Sequence, residues 1–346
     1  MVRRIWVAGI TLSFDINIGC VVACAYGVGQ KTWPVNGQFV ADGNHCPTDT
    51  VPYCDQYKVN KGSRVMDVIL HVGAHRTATT SLQHWLSGHC PSDVTFWGPS
   101  YLRAGHHWAG LIRRADLLRV QDMVVGARSA RRFARMIAVE RARGTRSVII
   151  SEENVLGGLQ HLWDAGRFYP DARARLQRLG DALGQHITVV ALSIRDLHDW
   201  WCSLLGLEQL RSGITHNAQH LSQIAADPRG WQSLICDIQA AFAPRPLVVW
   251  RHENLAGAPN AQLAAMLGQT APKVAMAPGT APWFNAGQYG RYRPFSAAQA
   301  AQLIAHDHHD LAWLRSGPPG IQFVDTNVRQ PDLCVAEGAL AGRIEP

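Results

Sequence analysis

The sequence predicts an α/β protein with a central, mainly parallel sheet in a three-layer sandwich. Four apolar segments rich in β-branched residues are separated by stretches in which apolar residues recur with helical spacing. Alternation of this kind is typical of a sheet covered by helices on both faces. The four predicted strands lie at Val68–Val72, Val148–Ile150, Ile187–Ile194 and within Pro244–Gly257.

The 346 residues accommodate one α/β domain of about 260 residues together with extensions. We assign 1–64 to an N-terminal extension that is poorly ordered or a mis-assigned start, because Met66 directly precedes the first strand. We assign 65–325 to the α/β domain and 326–346 to a C-terminal tail.

Residues 1–30 begin with a basic and apolar segment that resembles a signal sequence, but Asp15 and Asn17 interrupt it. We predict no integral membrane span and expect a cytoplasmic protein. An exported or membrane-associated form is the alternative if 1–30 act as a signal. Four of the eight cysteines lie in the extension, which permits disulfides in an exported form.

The net charge of +7 comes mostly from arginine. No block of lysine and arginine resembles a nucleic-acid-binding tail, and arginine pairs such as Arg131 and Arg132 are typical of solvated helix faces. We therefore predict no nucleic-acid partner. A small polyanionic ligand would account for some of the charge.

The first strand leads through a short loop into a helix that restarts the apolar pattern at Leu82 and Trp85. The first turn of such a helix presents unpaired N–H groups and a positive dipole, which together bind anions. We predict a phosphate site formed by Gly73, Ala74, His75, Arg76, Thr77, Ala78, Thr79, Thr80 and Ser81.

The loop departs from the ATP- and GTP-binding pattern G-x-x-x-x-G-K-[ST], because Ala78 and Thr79 stand where that pattern has Gly and Lys. It resembles instead the loop H-x-G-x-x-K-T-G-T-T-S-L-Q of sulfotransferases that use 3'-phosphoadenosine 5'-phosphosulfate (PAPS). Arg76 replaces the family's Lys, and Ala78 replaces a Gly. The resemblance implies a P-loop NTPase-like fold and places Arg76 beside the leaving phosphate.

Two later segments contain candidate bases. Glu152 and Glu153 follow the second strand, where ligands collect in open α/β sheets, and neighbouring carboxylates on a strand point to opposite sides. The family's S-x-E-N pattern matches Glu153. Aromatic residues surround His107 and His106, which are further candidates for the base, although surface histidines at a helix start explain them equally well.

Arg195 ends the third strand, and Ser203 follows eight residues later on the next helix. This spacing resembles the 3'-phosphate motif of the same family. The resemblance implies that Arg195 supplies a charged fork and Ser203 a neutral hydrogen bond to that phosphate.

The C-terminal third adds weaker candidates. Arg291 and Arg293 lie in a loop that either closes over the nucleotide, as a basic loop does in the family, or covers the sheet. The sequence His306–Asp310 suggests a metal site, but consecutive residues point around a helix, so we predict a polar surface and no metal.

Together these motifs predict a PAPS-dependent sulfotransferase that transfers a sulfuryl group to a hydroxyl or amine of a carbohydrate or small molecule. PAPS is the expected co-substrate, without a metal. The alternatives are an ATP-dependent small-molecule kinase and a catalytically impaired nucleotide- or glycan-binding protein. The oligomeric state and the acceptor are open.

Overall fold

The structure is a computed structural model, which describes the backbone of residues 4–7 and 10–13 and all of residues 66–268 and 292–325. Two compact units divide the chain, Met1–Val59 and Asn60–Pro346. In the first unit, β1 (Arg4–Val7) pairs antiparallel with β2 (Ile10–Ser13). The tail 326–346 lies outside the described residues, as does most of the extension, including its four cysteines.

The second unit contains one parallel sheet of six strands with the order β4-β5-β3-β6-β7-β8. The predicted α/β class and parallel sheet are therefore confirmed. Strands β4 and β8 were not predicted, because four residues at a sheet edge are too short for a clear periodicity. The strands are β3 (Asp67–His71), β4 (Val94–Trp97), β5 (Ser147–Ser151), β6 (Val189–Ile194), β7 (Leu247–Arg251) and β8 (Ile321–Val324).

Helices connect the strands and cover both faces of the sheet. They are α1 (Thr79–His89), α2 (Pro99–Ala104), α3 (Val120–Ala142), α4 (Leu159–Ala165), α5 (Ala172–Leu183), α6 (Leu197–Ser212), α7 (Ala218–Ala225), α8 (Trp231–Phe242), α9 (His252–Leu255), α10 (Pro259–Met266) and α11 (Ala297–Arg315). Helices α7 and α8 are separate because Pro228 and Gly230 lie between them.

The alternation of side chains along β3 separates the two cores. Val68 and Leu70 pack in the larger core with α3, α5, α6 and α8, whereas Ile69 packs in the smaller core with α1 and α10. These apolar side chains are almost completely buried. A sheet covered on both faces explains why its central strands are continuous apolar runs.

The chain order reverses around β3. From β3 the chain passes through α1 towards β4 and β5 on one side, and from β5 it crosses to β6 on the other. Ligands of open α/β sheets bind outside the carboxyl ends of the strands at such a reversal. The loop after β3 occupies this position.

The polar surface predicted for His306–Asp310 is present only in part, because His308 and His309 are exposed whereas Asp307 and Asp310 are buried. Asp307 and Asp310 are each only 1% exposed. Asp307 accepts a hydrogen bond from the Leu197 N–H at the start of α6. Because α11 packs across α6 and α8, two of its polar residues face inward towards neighbouring elements.

None of the described helices combines the length and the apolar character needed to cross a bilayer.

Candidate functional site

The loop from Gly73 to Ala78 is fixed to the sheet at its start. The Ala74 N–H donates to the Ser193 carbonyl at 3.0 Å, and the Ser193 N–H donates to the Gly73 carbonyl, so pairing with β6 continues beyond β3. Gly73 has φ 98°, and a Cβ added there would lie 2.8 Å from Glu153 Cβ. Only glycine tolerates both the positive φ and the close approach of Glu153. Glu153 therefore lies directly beside the loop.

Two non-glycine residues of the loop have left-handed backbone conformations, Arg76 with φ 63° and Ala78 with φ 64°. Ala78 is the N-cap of α1, and no side chain caps this helix end. The preferred N-cap residues carry an oxygen that accepts from the first-turn N–H groups. An uncapped helix start directed at the end of the sheet has the chemistry of an anion site.

His75 fixes the loop through hydrogen bonds to its ring and to its carbonyl. Its imidazole Nδ1 lies 3.1 Å from the Tyr169 hydroxyl and its Nε2 lies 3.3 Å from Asn154 Oδ1. The Trp200 indole N–H donates to the His75 carbonyl at 2.7 Å. Burial lowers the pKa of His75, although Glu153 partly opposes this effect. An imidazole with a hydrogen-bond partner at each ring nitrogen positions the loop.

Residues from the two predicted motifs meet in one cluster, Arg76, Arg195 and Ser203. The Arg76 guanidinium Nε donates to the Ser203 hydroxyl at 2.9 Å. The Arg195 guanidinium donates to the Arg76 carbonyl at 3.1 Å. Since these residues are 119 and 127 positions apart in sequence, the fold is what brings them together. The two expected phosphate sites are therefore adjacent, with Arg76 directed at Ser203.

The start of α6 differs from the start of α1, because carboxylates already cap it. The Asp196 N–H donates to Glu253 Oε1 at 2.8 Å and the Leu197 N–H donates to Asp307 Oδ1 at 3.1 Å. The Asp199 N–H donates to Asp196 Oδ1 at 2.9 Å. Three acidic side chains already accept from the N–H groups of α6, so the uncapped N–H groups of α1 are the better anion site.

The adjacent carboxylates Glu152 and Glu153 have different surroundings. Glu152 is fully buried and accepts two hydrogen bonds from Arg103, at 2.9 and 2.6 Å. Glu153 is 17% exposed and lies 3.3 Å from the same guanidinium. The expectation that they point to opposite sides is therefore wrong, because a 3-10 turn begins at Glu153 and rotates its side chain.

Gln83 orients Glu153. Its amide donates at 3.0 Å to Glu153 Oε2 and at 3.1 Å to the Ser151 hydroxyl, which also contacts buried His71. Burial raises the pKa of Glu153, but His75 and Gln83 outweigh it and the net pKa is lowered. We did not select Gln83 from the sequence, although it occupies the final position of the T-T-S-L-Q pattern.

A cleft of about 750 Å³ opens beside Glu153, between α1 and α2. Polar lining residues include Gln83 and Arg103, which contact Glu153, and Thr80, and Leu86, Phe96 and Tyr101 provide apolar surface. Neither predicted histidine lines it. His106 is exposed, and His107 is buried against Tyr101 and Phe133 with ring centroids at 5.3 and 5.9 Å. Burial lowers the pKa of His107.

The predicted basic loop is described only in part, since Arg291 lies outside the described residues. Arg293 pairs with Asp199 at 3.2 Å, on the first turn of α6. Asp196, His198 and Asp199 are close enough together to suggest a metal site. Asp196 caps α6, and Asp199 is the partner of Arg293. These contacts explain the cluster without an ion.

Comparisons of the chain with models of protein families, with curated proteins and with solved structures find no match.

Proposed function

We propose that this protein binds an adenine nucleotide that carries two separate phosphate groups and transfers the sulfuryl group of PAPS to an acceptor hydroxyl or amine. The observation that supports this most strongly is the cluster of Arg76, Arg195 and Ser203. Two sequence motifs that predicted different phosphates converge at one end of the sheet, where the Arg76 and Ser203 side chains are 2.9 Å apart.

The donor groups suit such a nucleotide. The first turn of α1, preceded by uncapped Ala78, provides N–H groups for the 5' phosphosulfate. Arg195 and Ser203 provide charged and neutral donors for the 3'-phosphate. A bound phosphate would replace the bond between Arg76 and Ser203, so the two side chains hold each other in place before the ligand arrives.

The reaction needs a group that accepts the proton of the acceptor. Glu153 lines the cleft, and its lowered pKa keeps it ionised at neutral pH. In the proposed step the acceptor oxygen attacks sulfur, its proton passes to the Glu153 carboxylate, and the bond from sulfur to the phosphate oxygen breaks. The electron pair remains on adenosine 3',5'-bisphosphate, whose charge Arg76 and the α1 N–H groups stabilise.

Whether this site catalyses sulfuryl transfer depends on Arg76. Guanidinium stabilises developing negative charge but does not release its proton near neutral pH. The leaving phosphate can depart as the charged species without a proton, so charge stabilisation is the role that remains. The alternative, a protein that binds nucleotide without catalysis, follows if the Arg76 side chain stays on Ser203 in the complex.

Transfer of radiolabelled sulfate from PAPS to a panel of sugars, phenols and amines tests the proposal. We expect at least one labelled product with the native chain and a loss of about 100-fold or more with Glu153→Gln. Asp181→Asn, an exposed carboxylate on α5, is the matched control and should retain full activity. Equal activity of Glu153→Gln and the control would exclude Glu153 as the base.

A further inference from the structure

Helix α3 carries an exposed face whose character changes along its length. At its amino-terminal end three apolar side chains project into solvent, Val120 at 78%, Met123 at 62% and Val124 at 50% exposure, and a fourth, Leu117, is 50% exposed in the short turn before the helix. Further along the same face are Arg128, Arg131 and Arg135, all exposed. Spacings of three and four residues from Val120 to Arg135 place the helical members of this set on one side of α3.

The opposite side of α3 is fixed in the larger core through Phe133 and Ile137. The exposed face therefore cannot be buried by rotation of the helix. Its exposed positions contain no acidic residue, since Asp122 pairs with Arg113 at 3.2 Å and Glu140 is buried. Within the described part of the chain, Arg128, Arg131 and Arg135 have no ion-pair partner.

We propose that this face, Leu117 to Arg135, is a docking surface for an anionic membrane. Protruding aliphatic side chains gain free energy when they enter the acyl boundary of a bilayer, and a line of arginines matches the charge of lipid phosphates. A nucleic acid would use the arginines but would leave the four aliphatic side chains exposed. The net charge of +7 favours approach to a negative surface.

The surface is peripheral, because the described helices include none that could span the bilayer. It also lies near the candidate cleft. Arg132 on α3 donates to the Gly105 carbonyl at 2.6 Å, just after α2, and Tyr101 and Arg103 of α2 line the cleft. Docking through α3 would thus hold α2 and the mouth of the cleft close to the lipid surface. This inference does not depend on the proposed function.

Flotation of the full chain with vesicles tests it. We expect binding to phosphatidylcholine vesicles that contain about one third phosphatidylserine, weak binding to phosphatidylcholine alone, and weaker binding at high salt. The variant R128Q/R131Q/R135Q should bind about 100-fold less, because each arginine near an anionic surface contributes about five-fold. The variant V120S/M123S/V124S should lose about 10-fold or more.

A control with the same change of charge elsewhere, R173Q/R211Q/R245Q, should bind almost as well as the native chain. Three results would overturn the proposal. One is an equal loss in both arginine variants, which would indicate only the net charge. Another is RNA that competes vesicles off the protein, if its binding requires Arg128, Arg131 and Arg135 and is unaffected by V120S/M123S/V124S. The third is a dimer in solution that V120S/M123S/V124S dissociates.

Discussion

Ala78 carries a cost that the structure makes measurable. Its φ of 64° lies in the left-handed region at the start of α1, where the sulfotransferase pattern that the loop resembles has glycine. An L-residue in this conformation costs about 1 to 2 kcal/mol, because its Cβ crowds the backbone. Glycine avoids that cost but loses about 0.5 to 1 kcal/mol of additional entropy on folding.

The variant Ala78→Gly should therefore gain about 0.5 to 1 kcal/mol of unfolding free energy, and its melting temperature should rise by about 2 °C in a domain of this size. Differential scanning fluorimetry measures this shift. Ala305→Gly is the matched control, since Ala305 is exposed within α11. There glycine should lower stability by about 1 kcal/mol.

Opposite signs for the two substitutions support the loop conformation. If Ala78→Gly lowers the melting temperature as much as Ala305→Gly does, Ala78 is in an ordinary conformation. The description of α1 as starting from a left-handed, uncapped residue would then be wrong.

Three further predictions concern ionised groups. Arg195→Ala should weaken the binding of adenosine 3',5'-bisphosphate about 10- to 100-fold in calorimetry, because a charged hydrogen bond is worth about 1.5 to 3 kcal/mol. The binding of adenosine 5'-phosphosulfate should barely change. Equal losses for the two ligands would refute the 3'-phosphate assignment. Arg103→Ala should lower the unfolding free energy, measured in urea, by about 2 kcal/mol, because buried Glu152 loses its partner. Arg113→Ala removes a more exposed ion pair and should cost less than about 1 kcal/mol. Similar losses for the two variants would contradict the difference in burial. Burial, with nearby Asp196, raises the pKa of Asp307 to about 7. The folded carboxyl then holds a proton that the unfolded chain has released, so this residue lowers stability as pH rises from about 4 to 7. Asp307→Asn should therefore gain about 2 kcal/mol relative to the native chain between pH 5 and pH 8 in urea titrations, and parallel pH profiles would argue against a protonated Asp307.

The sequence predicted the central strands because burial on both faces leaves a continuous apolar run, as in β5 with every residue buried. Strands β4 and β8 are short edge strands, and their pairing depends on partners distant in sequence. Similarly, the chain order placed Arg76 and Arg195 at the same edge of the sheet. The left-handed backbone at Arg76 and the contact of its side chain with Ser203 were not indicated by any sequence pattern.

The polar residues show the limit of local patterns most clearly. The role of Asp307 is to accept from Leu197, 110 positions away, so its local sequence resembles a solvated helix face. Likewise, the adjacent residues Glu152 and Glu153 differ because Arg103 arrives from α2 and Gln83 from α1. Burial of a charge depends on whether the fold supplies a partner, and a single sequence does not contain that information.

Isothermal titration of the native chain with adenosine 3',5'-bisphosphate, in parallel with ATP and magnesium, distinguishes the proposed two-phosphate site from a kinase site. A site built from the α1 start with Arg76, Arg195 and Ser203 has donors for two separate phosphates, and its loop has no lysine at the position of Thr79. We predict that the bisphosphate binds at least about 10-fold more tightly than ATP, since the 3'-phosphate adds a charged contact. Binding of ATP with magnesium in preference to the bisphosphate would contradict the account and favour a kinase.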